Sequence, residues 1–204
     1  MDDEGYQNQH WWRTGGFWKN TGPEGWDEQL QHPSWPVTAV SWHEAAAYCA
    51  WAGVRLPSHQ HREQAACGPE GRQYPWGSEP PDEKRANFGK KVGSPTPVGL
   101  YPAGATREGV ADMAGNIWEW VEDRHRDKAR GVRGGSFSND ADYLRAAHNS
   151  WVAPRFRHLG ALAATLVKAT WAAPKEEKAM YGMIGKMTTA AGRRRKCSLC
   201  CCRR

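Results

Sequence analysis

Sulfur and imidazole are the side chains in this sequence that could take part in redox or metal chemistry. The chain has six Cys and eight His. Cys49 and Cys67 stand in its body, while Cys197, Cys200, Cys201 and Cys202 crowd its last eight residues. Copper binding or thiol oxidation needs thiolates held as a pair, because the thiolate is both the soft ligand and the reactive form. The clustered Cys could take zinc or copper(I), but a Cys-x-x-Cys without a second spaced pair is a weak zinc signal. Two Cys in the body do not make a disulfide framework. Cys49 falls on the apolar face of a predicted helix and reads as a small buried hydrophobe. His43-Glu44 lacks the second His of a His-Glu-x-x-His zinc site. His59 and His61 are two apart, so on a helix they diverge. With no metal-ligand spacing among them, His43, His59, His61, His125, His148 and His158 read as surface His. No phosphate loop, nucleophile elbow or dinucleotide fingerprint is present.

Recognition is the chemistry that the segment Ser136–His158 favours. It holds no Lys, Glu, Gln or Met, where the chain's own average gives roughly four in such a window. Tyr143, Trp151 and Phe156 would supply contact area at low entropic cost, and Arg155 and Arg157 directed hydrogen bonds. The predicted binding residues are Ser138, Asn139, Asp140, Asp142 and Tyr143, then His148, Asn149, Ser150, Trp151, Val152, Arg155, Phe156, Arg157 and His158. The expected ligand is a protein or a cell-surface group. At least one of Trp151 and Phe156 is expected in the core.

These residues must be carried by short elements. Pro36–Val40 reads as a strand. Ser41 with Glu44 three residues on is a capping box, and Trp42, Ala45, Ala46 and Cys49 share the face of a helix that Gly53 ends. A second helix runs from near Ser58 to Gly68. Turn residues fill the chain from Pro69 to Pro102. Gly115–Val121 alternates as a strand does. Arg133–Phe137 begins another strand, and residues 138–158 form a long exposed segment. Leu159–Trp171 forms a last strand or helix. The expected class is α+β with short strands, two main helices and much irregular structure.

The bulk composition agrees with one ordinary domain of about 172 residues and a flexible basic tail over 173–204. Twelve Trp, 22 Gly and 13 Pro among 204 residues favour a loop-rich fold on aromatic anchors over a helix bundle. Residues 1–36 carry several of these Trp and read as irregular cover over a core. Net charge is +6, but Arg193, Arg194, Arg195, Lys196, Arg203 and Arg204 account for it. Specific nucleic-acid binding is therefore not indicated. No secretory signal or run of transmembrane length is visible, so the default expectation is a cytoplasmic protein.

Seven blocks occur in a telling order. They are Pro36–Gly53, Arg55-Leu-Pro-Ser58, Tyr74-Pro-Trp-Gly77, Ala86-Asn87, Pro97-Val-Gly99, Asp112-Met-Ala-Gly-Asn-Ile-Trp-Glu-Trp120 and Arg133-Gly-Gly-Ser136. Over about residues 35–160 the chain resembles the sulfatase-modifying-factor domain, the fold of formylglycine-generating enzyme, itself a variant of the C-type-lectin fold. The resemblance implies an opening strand and helix that the chain starts too late to hold in full. It also implies a Trp where Arg62 stands, and a closing Leu-Gly-Phe-Arg of which only Leu159-Gly160 is present.

The family's oxidase holds copper through two Cys, three and eight residues after the Ser of Gly-Gly-Ser. Asn139 and Leu144 occupy those positions, so a non-catalytic module is expected, with a formylglycine-generating oxidase or an associated domain as the alternative. The related iron-dependent sulfoxide synthases use three His partly supplied by another domain, and no such spacing occurs here. Variable proteins of diversity-generating retroelements resemble this family and carry their diversified region where Ser136–His158 lies. The resemblance also implies structural calcium at Asp112, Gly115, Ile117 and Glu119, a donor set suited to a hard cation. Asn87 would belong to a second such site.

Overall fold

Ser41 starts the first long helix by closing both halves of a capping box. Its hydroxyl accepts from the Glu44 N–H, and the Glu44 carboxylate accepts from the Ser41 N–H. In the computed structural model, which describes residues 25–125, 128–157 and 162–164, a one-turn helix α1 (Trp26–Gln29) precedes it. Helix α2 runs over Trp42–Trp51. Helix α3 covers His59–Cys67, with Ser58 as N-cap and Gly68 after its last turn at φ 64°. Both long helices lie where the capping residues place them. Residues 69–101 are turns and irregular structure, as their Gly and Pro require, and a 3-10 turn follows at Pro102–Gly104.

Four strands form one sheet. They are β1 (Trp118–Arg124), β2 (Arg130–Arg133), β3 (Asn149–Val152) and β4 (Leu162–Ala164), in spatial order β3-β2-β1-β4. The first three pair antiparallel, and β4 lies parallel to β1.

Several expectations for the strands are corrected. Residues 36–40 form no strand. Their backbone is held by other partners: Thr38 N–H donates to Gln29 Oε1 at 2.9 Å, and the Val40 carbonyl accepts from Trp120 Nε1 at 2.9 Å. With those groups satisfied, no neighbouring strand is needed. The strand expected over Gly115–Val121 begins only at Trp118, because Gly115 and Asn116 have φ of 77° and 66° and form a turn. The strand expected from Arg133 onward ends there, since Gly134 and Gly135 turn away at φ 95° and 74°. The segment 138–158 is not one exposed stretch either. It holds a 3-10 turn at Ala141–Leu144 and strand β3, and Leu144 and Ala146 are buried.

Register sorts the side chains onto two faces, because neighbours along a strand point oppositely. Trp120 pairs with Val132 and Val132 with Ser150, so these three share a face. That face packs on α2 in a core of Val40, Trp42, Ala45, Cys49, Leu56, Trp120 and Val132. Two indoles bind the layers together. Trp120 reaches the Val40 carbonyl, and Trp42 Nε1 donates to the Val121 carbonyl at 2.9 Å. Arg130 lies over the Trp42 ring at 3.6 Å. Glu119, Arg133 and Asn149 are paired on the opposite face, with Gly131 and Trp151, against α3. Gly131 lacks a side chain because any Cβ there would collide with His59.

Candidate functional site

The recognition residues expected between 138 and 158 are divided between the two faces of the sheet. On the α2 side, the Trp118 and Tyr143 rings meet edge-on at 6.1 Å. His148 completes the group, 4.8 Å from Tyr143 and 5.9 Å from Trp118. Tyr143 is 39% exposed, and the other two are half-buried. On the α3 side, Trp151 packs edge-on against His59 at 4.6 Å and lies 5.1 Å from His125.

Trp151 and Phe156 are both exposed, which corrects the expectation that one of them is core. Trp151 pairs across from Gly131, outside the core formed on the other face, so its ring covers histidines at the surface. Trp118, His59 and His125 were missed as neighbours of this segment. Only strand pairing brings them there, and local sequence carries no signal of that.

Other expected binding residues have structural partners. Asn139 Oδ1 accepts from the Ser136 N–H at 3.0 Å and its hydroxyl at 2.7 Å. Ser138 Oγ lies 3.0 Å from Ser136 Oγ. Asp142 pairs with Arg145 at 3.3 Å. Arg157 grips the Glu44 carboxylate with Nε and Nη2, each at 2.9 Å. Val152 packs against the α2 core. Asp140, Asn149 and Arg155 are exposed, and Ser150 is half-buried. His158 lies outside the described residues, as does the Cys-rich tail.

His59 anchors the α3 side. Its Nδ1 accepts from Arg133 Nε at 2.8 Å, and its backbone N–H donates to the Asp123 carboxylate. An Nδ1 that accepts leaves the proton on Nε2, which is buried without a hydrogen-bond partner. Burial, then the charge of Arg133, holds the His59 pKa below its ordinary value. Burial and Arg133 lower that of His148 too. Arg133 also binds Glu63 at 2.6 Å and the carbonyls of Ala146 and His148 at 3.2 Å.

Paired thiolates find no place in these residues. Leu144 is 1% exposed and packs among Tyr74, Ala86 and Ala114. Asn139 is the cap just described. Cys49 is buried in the α2 core, where burial pushes its thiol up to about 12. Such a thiol is inert. Among the described residues, no three His, Cys, Asp or Glu side chains gather as a metal site. No helix among them is long and apolar enough to cross a membrane.

The Asp112–Glu119 turn is sewn to its neighbours. Gly115 N–H donates to the Gly134 carbonyl at 2.8 Å, and Asn116 N–H to the Asn87 carbonyl at 2.8 Å. Asn116 Oδ1 accepts from Thr96 N–H at 2.9 Å and from Asn87 Nδ2 at 3.2 Å. Asp112 accepts from the Gly99 N–H at 2.8 Å. Burial raises the Asp112 pKa, the Gly99 bond opposes this, and the charge of Glu119 adds to it.

A small sheet between two capped helices, with long turn-rich connections, defines an α+β domain of the formylglycine-generating-enzyme type. Residues 1–160 match the sulfatase-modifying factor enzyme 1-like domain, and the chain belongs to that family. It is 32% identical to hercynine oxygenase of Mycolicibacterium thermoresistibile, over 78% of this chain and 45% of that protein. The chain spans less than half the length of the curated hercynine oxygenases that it matches. Among solved structures, PvdO from Pseudomonas aeruginosa superposes with a TM-score of 0.55 at 25% identity, covering 63% of this chain and 60% of that one. Treponema denticola variable protein 1 has a TM-score of 0.54 at 20% identity, covering 63% and 69%. That likeness is one of fold.

Proposed function

We propose that this chain is the formylglycine-generating-enzyme-type part of a larger oxygenase of the hercynine-oxygenase kind, where it holds the organic substrate and the redox metal is bound elsewhere. The observation that carries this reading is the contrast between adjacent residues. Leu144 fills a core position where the family's oxidase has a Cys, while Tyr143 beside it presents its ring outward with His148 and Trp118. Among the described residues, the domain thus offers an aromatic surface and no thiolate at the two positions of the family's oxidase. The identity of 32–38% to hercynine oxygenases supports the assignment. Hercynine is a histidine betaine with a trimethylammonium group. Tyr and Trp faces attract such a cation.

Titration of hercynine into the chain, followed by NMR, tests the assignment. The Tyr143, His148 and Trp118 resonances are expected to shift with a Kd of about 1 mM, a weak affinity of roughly −4 kcal/mol. Y143A is expected to abolish the shifts. Unmoved resonances in the wild-type chain would sink the reading. Oxygen uptake with a Cys-containing sulfatase peptide and copper should show no turnover, and turnover would restore the thiol-oxidase assignment.

The second reading is a non-catalytic module that displays residues 138–157 to a protein or cell-surface ligand. Exposed Tyr143, Trp151 and Phe156 favour it. Their arrangement on two faces makes two small surfaces, which suits a ligand that wraps the β3 edge. A template repeat and a reverse transcriptase beside the gene would support a diversified version of this module.

A further inference from the structure

We infer that the guanidinium of Arg62 replaces calcium as the cation of the Asp112–Glu119 turn. Arg62 projects from α3 and is 3% exposed. Its Nε donates to Glu119 Oε2 at 2.7 Å, and its Nη2 donates to the Met113 carbonyl at 2.9 Å. Nη2 also closes an ion pair with the same Glu119 oxygen. One planar cation therefore spans a carboxylate and a main-chain carbonyl at opposite ends of the turn. A carboxylate and a carbonyl are the donors that a hard cation would take.

The calcium set of Asp112, Gly115, Ile117 and Glu119 does not fit this arrangement. One Glu119 oxygen is bound to a fixed positive charge. One Asp112 oxygen accepts from Gly99, and the Gly115 carbonyl accepts from the Ile117 N–H at 2.9 Å. A divalent ion would have to share Glu119 with the guanidinium, and the two cations would repel in a site with little water to screen them.

Gly134 lies close against the guanidinium. A Cβ on Gly134 would stand 3.2 Å from Arg62 Nη2 and 3.5 Å from the Met113 carbonyl. The first Gly of Arg-Gly-Gly-Ser, a block shared with the family, borders the Arg head group at a φ of 95°. Arg62 also ties α3 to β1, since Glu119 lies in that strand. A bound ion, unattached to α3, would not tie that helix to β1 in this way.

The test uses the intact chain and NMR of the arginine side-chain N–H groups. The Arg62 Nε–H should give a resonance protected from exchange, and saturating calcium should leave it unmoved. A resonance that exchanges like a surface arginine, or that calcium displaces, would overturn the inference. Thermal melting with calcium or chelator provides a second arm. R62M is expected to melt roughly 5–15 °C lower in chelator, as buried pairs that lose one partner do, and to gain a calcium response that the wild type lacks. An equal calcium response in the two proteins would also overturn it. If R62M does not fold, the wild-type resonance decides alone.

Discussion

Arg133 Nε donates to His59 Nδ1 at 2.8 Å, so a permanent cation fixes the tautomer of a neighbouring imidazole. A protonated His59 would have no lone pair to offer and would face that guanidinium at contact distance.

The first prediction follows from this pair. Burial and Arg133 hold His59 below its ordinary value of 6.5, and the same causes act on His148. A His with a depressed folded pKa adds stability above the unfolded value. That contribution is lost as pH falls through the folded pKa. Stability against urea should therefore decline on acidification from about pH 7 to about pH 5. NMR titration of the two imidazoles reads the same quantity directly. Folded pKa values at or above 6.5 for both would contradict it.

Glu44 is expected to be costly to change because it has two tasks. It closes the capping box with Ser41 and receives both Nε and Nη2 of Arg157. Its side chain is 10% exposed and that of Arg157 is 21% exposed. E44A should cost about 1–3 kcal/mol in chemical denaturation, and R157A less, because the cap survives the second change. Equal losses would show that the cap contributes nothing.

Two tryptophans should behave oppositely. Trp120 is fully buried and donates to the Val40 carbonyl. W120F removes that bond and leaves a void, at a cost of about 2–4 kcal/mol. Trp151 is 37% exposed, and W151A should cost about 1 kcal/mol or less. Comparable losses would mean that the register placing Trp151 opposite Gly131 is wrong.

Restoring the family's cysteines should not restore its chemistry for free. L144C trims a fully buried side chain and should destabilise by about 1–3 kcal/mol. N139C removes the oxygen that accepts from Ser136 N–H and Oγ, adding about 1–2 kcal/mol. A double variant as stable as the wild type by thermal melting would show that neither residue has been absorbed into the scaffold.

The helices were legible because their signals are local. Ser41 with Glu44, Ser58, Gly53 and Gly68 each mark an end by backbone chemistry within a few residues. The family was legible for a related reason, since seven blocks keep their order. The sheet was not. Gly115–Val121 mimics strand alternation, but two positive φ angles at Gly115 and Asn116 delay the strand to Trp118. Strand β3 passed as exposed loop because its burial alternates only half-heartedly, from exposed Asn149 to half-buried Val152. The candidate site suffered the same loss. Asn139 and Leu144 were readable as the replaced Cys. The grouping of Tyr143 with Trp118, and of Trp151 with His59, depends on long-range pairing that no local spacing encodes.

Strand β3 sends alternate residues to different neighbourhoods, which makes it an index of phase. Deleting one residue between Asn149 and Val152 would hand Trp151's place above Gly131 to another side chain and drive the indole toward the α2 layer. Changes of length there scramble both aromatic groups at once. Changes of length among residues 138–140, upstream of the buried Leu144, leave that phase intact but break the Ser136–Asn139 cap, so their cost is local where a change inside β3 is not.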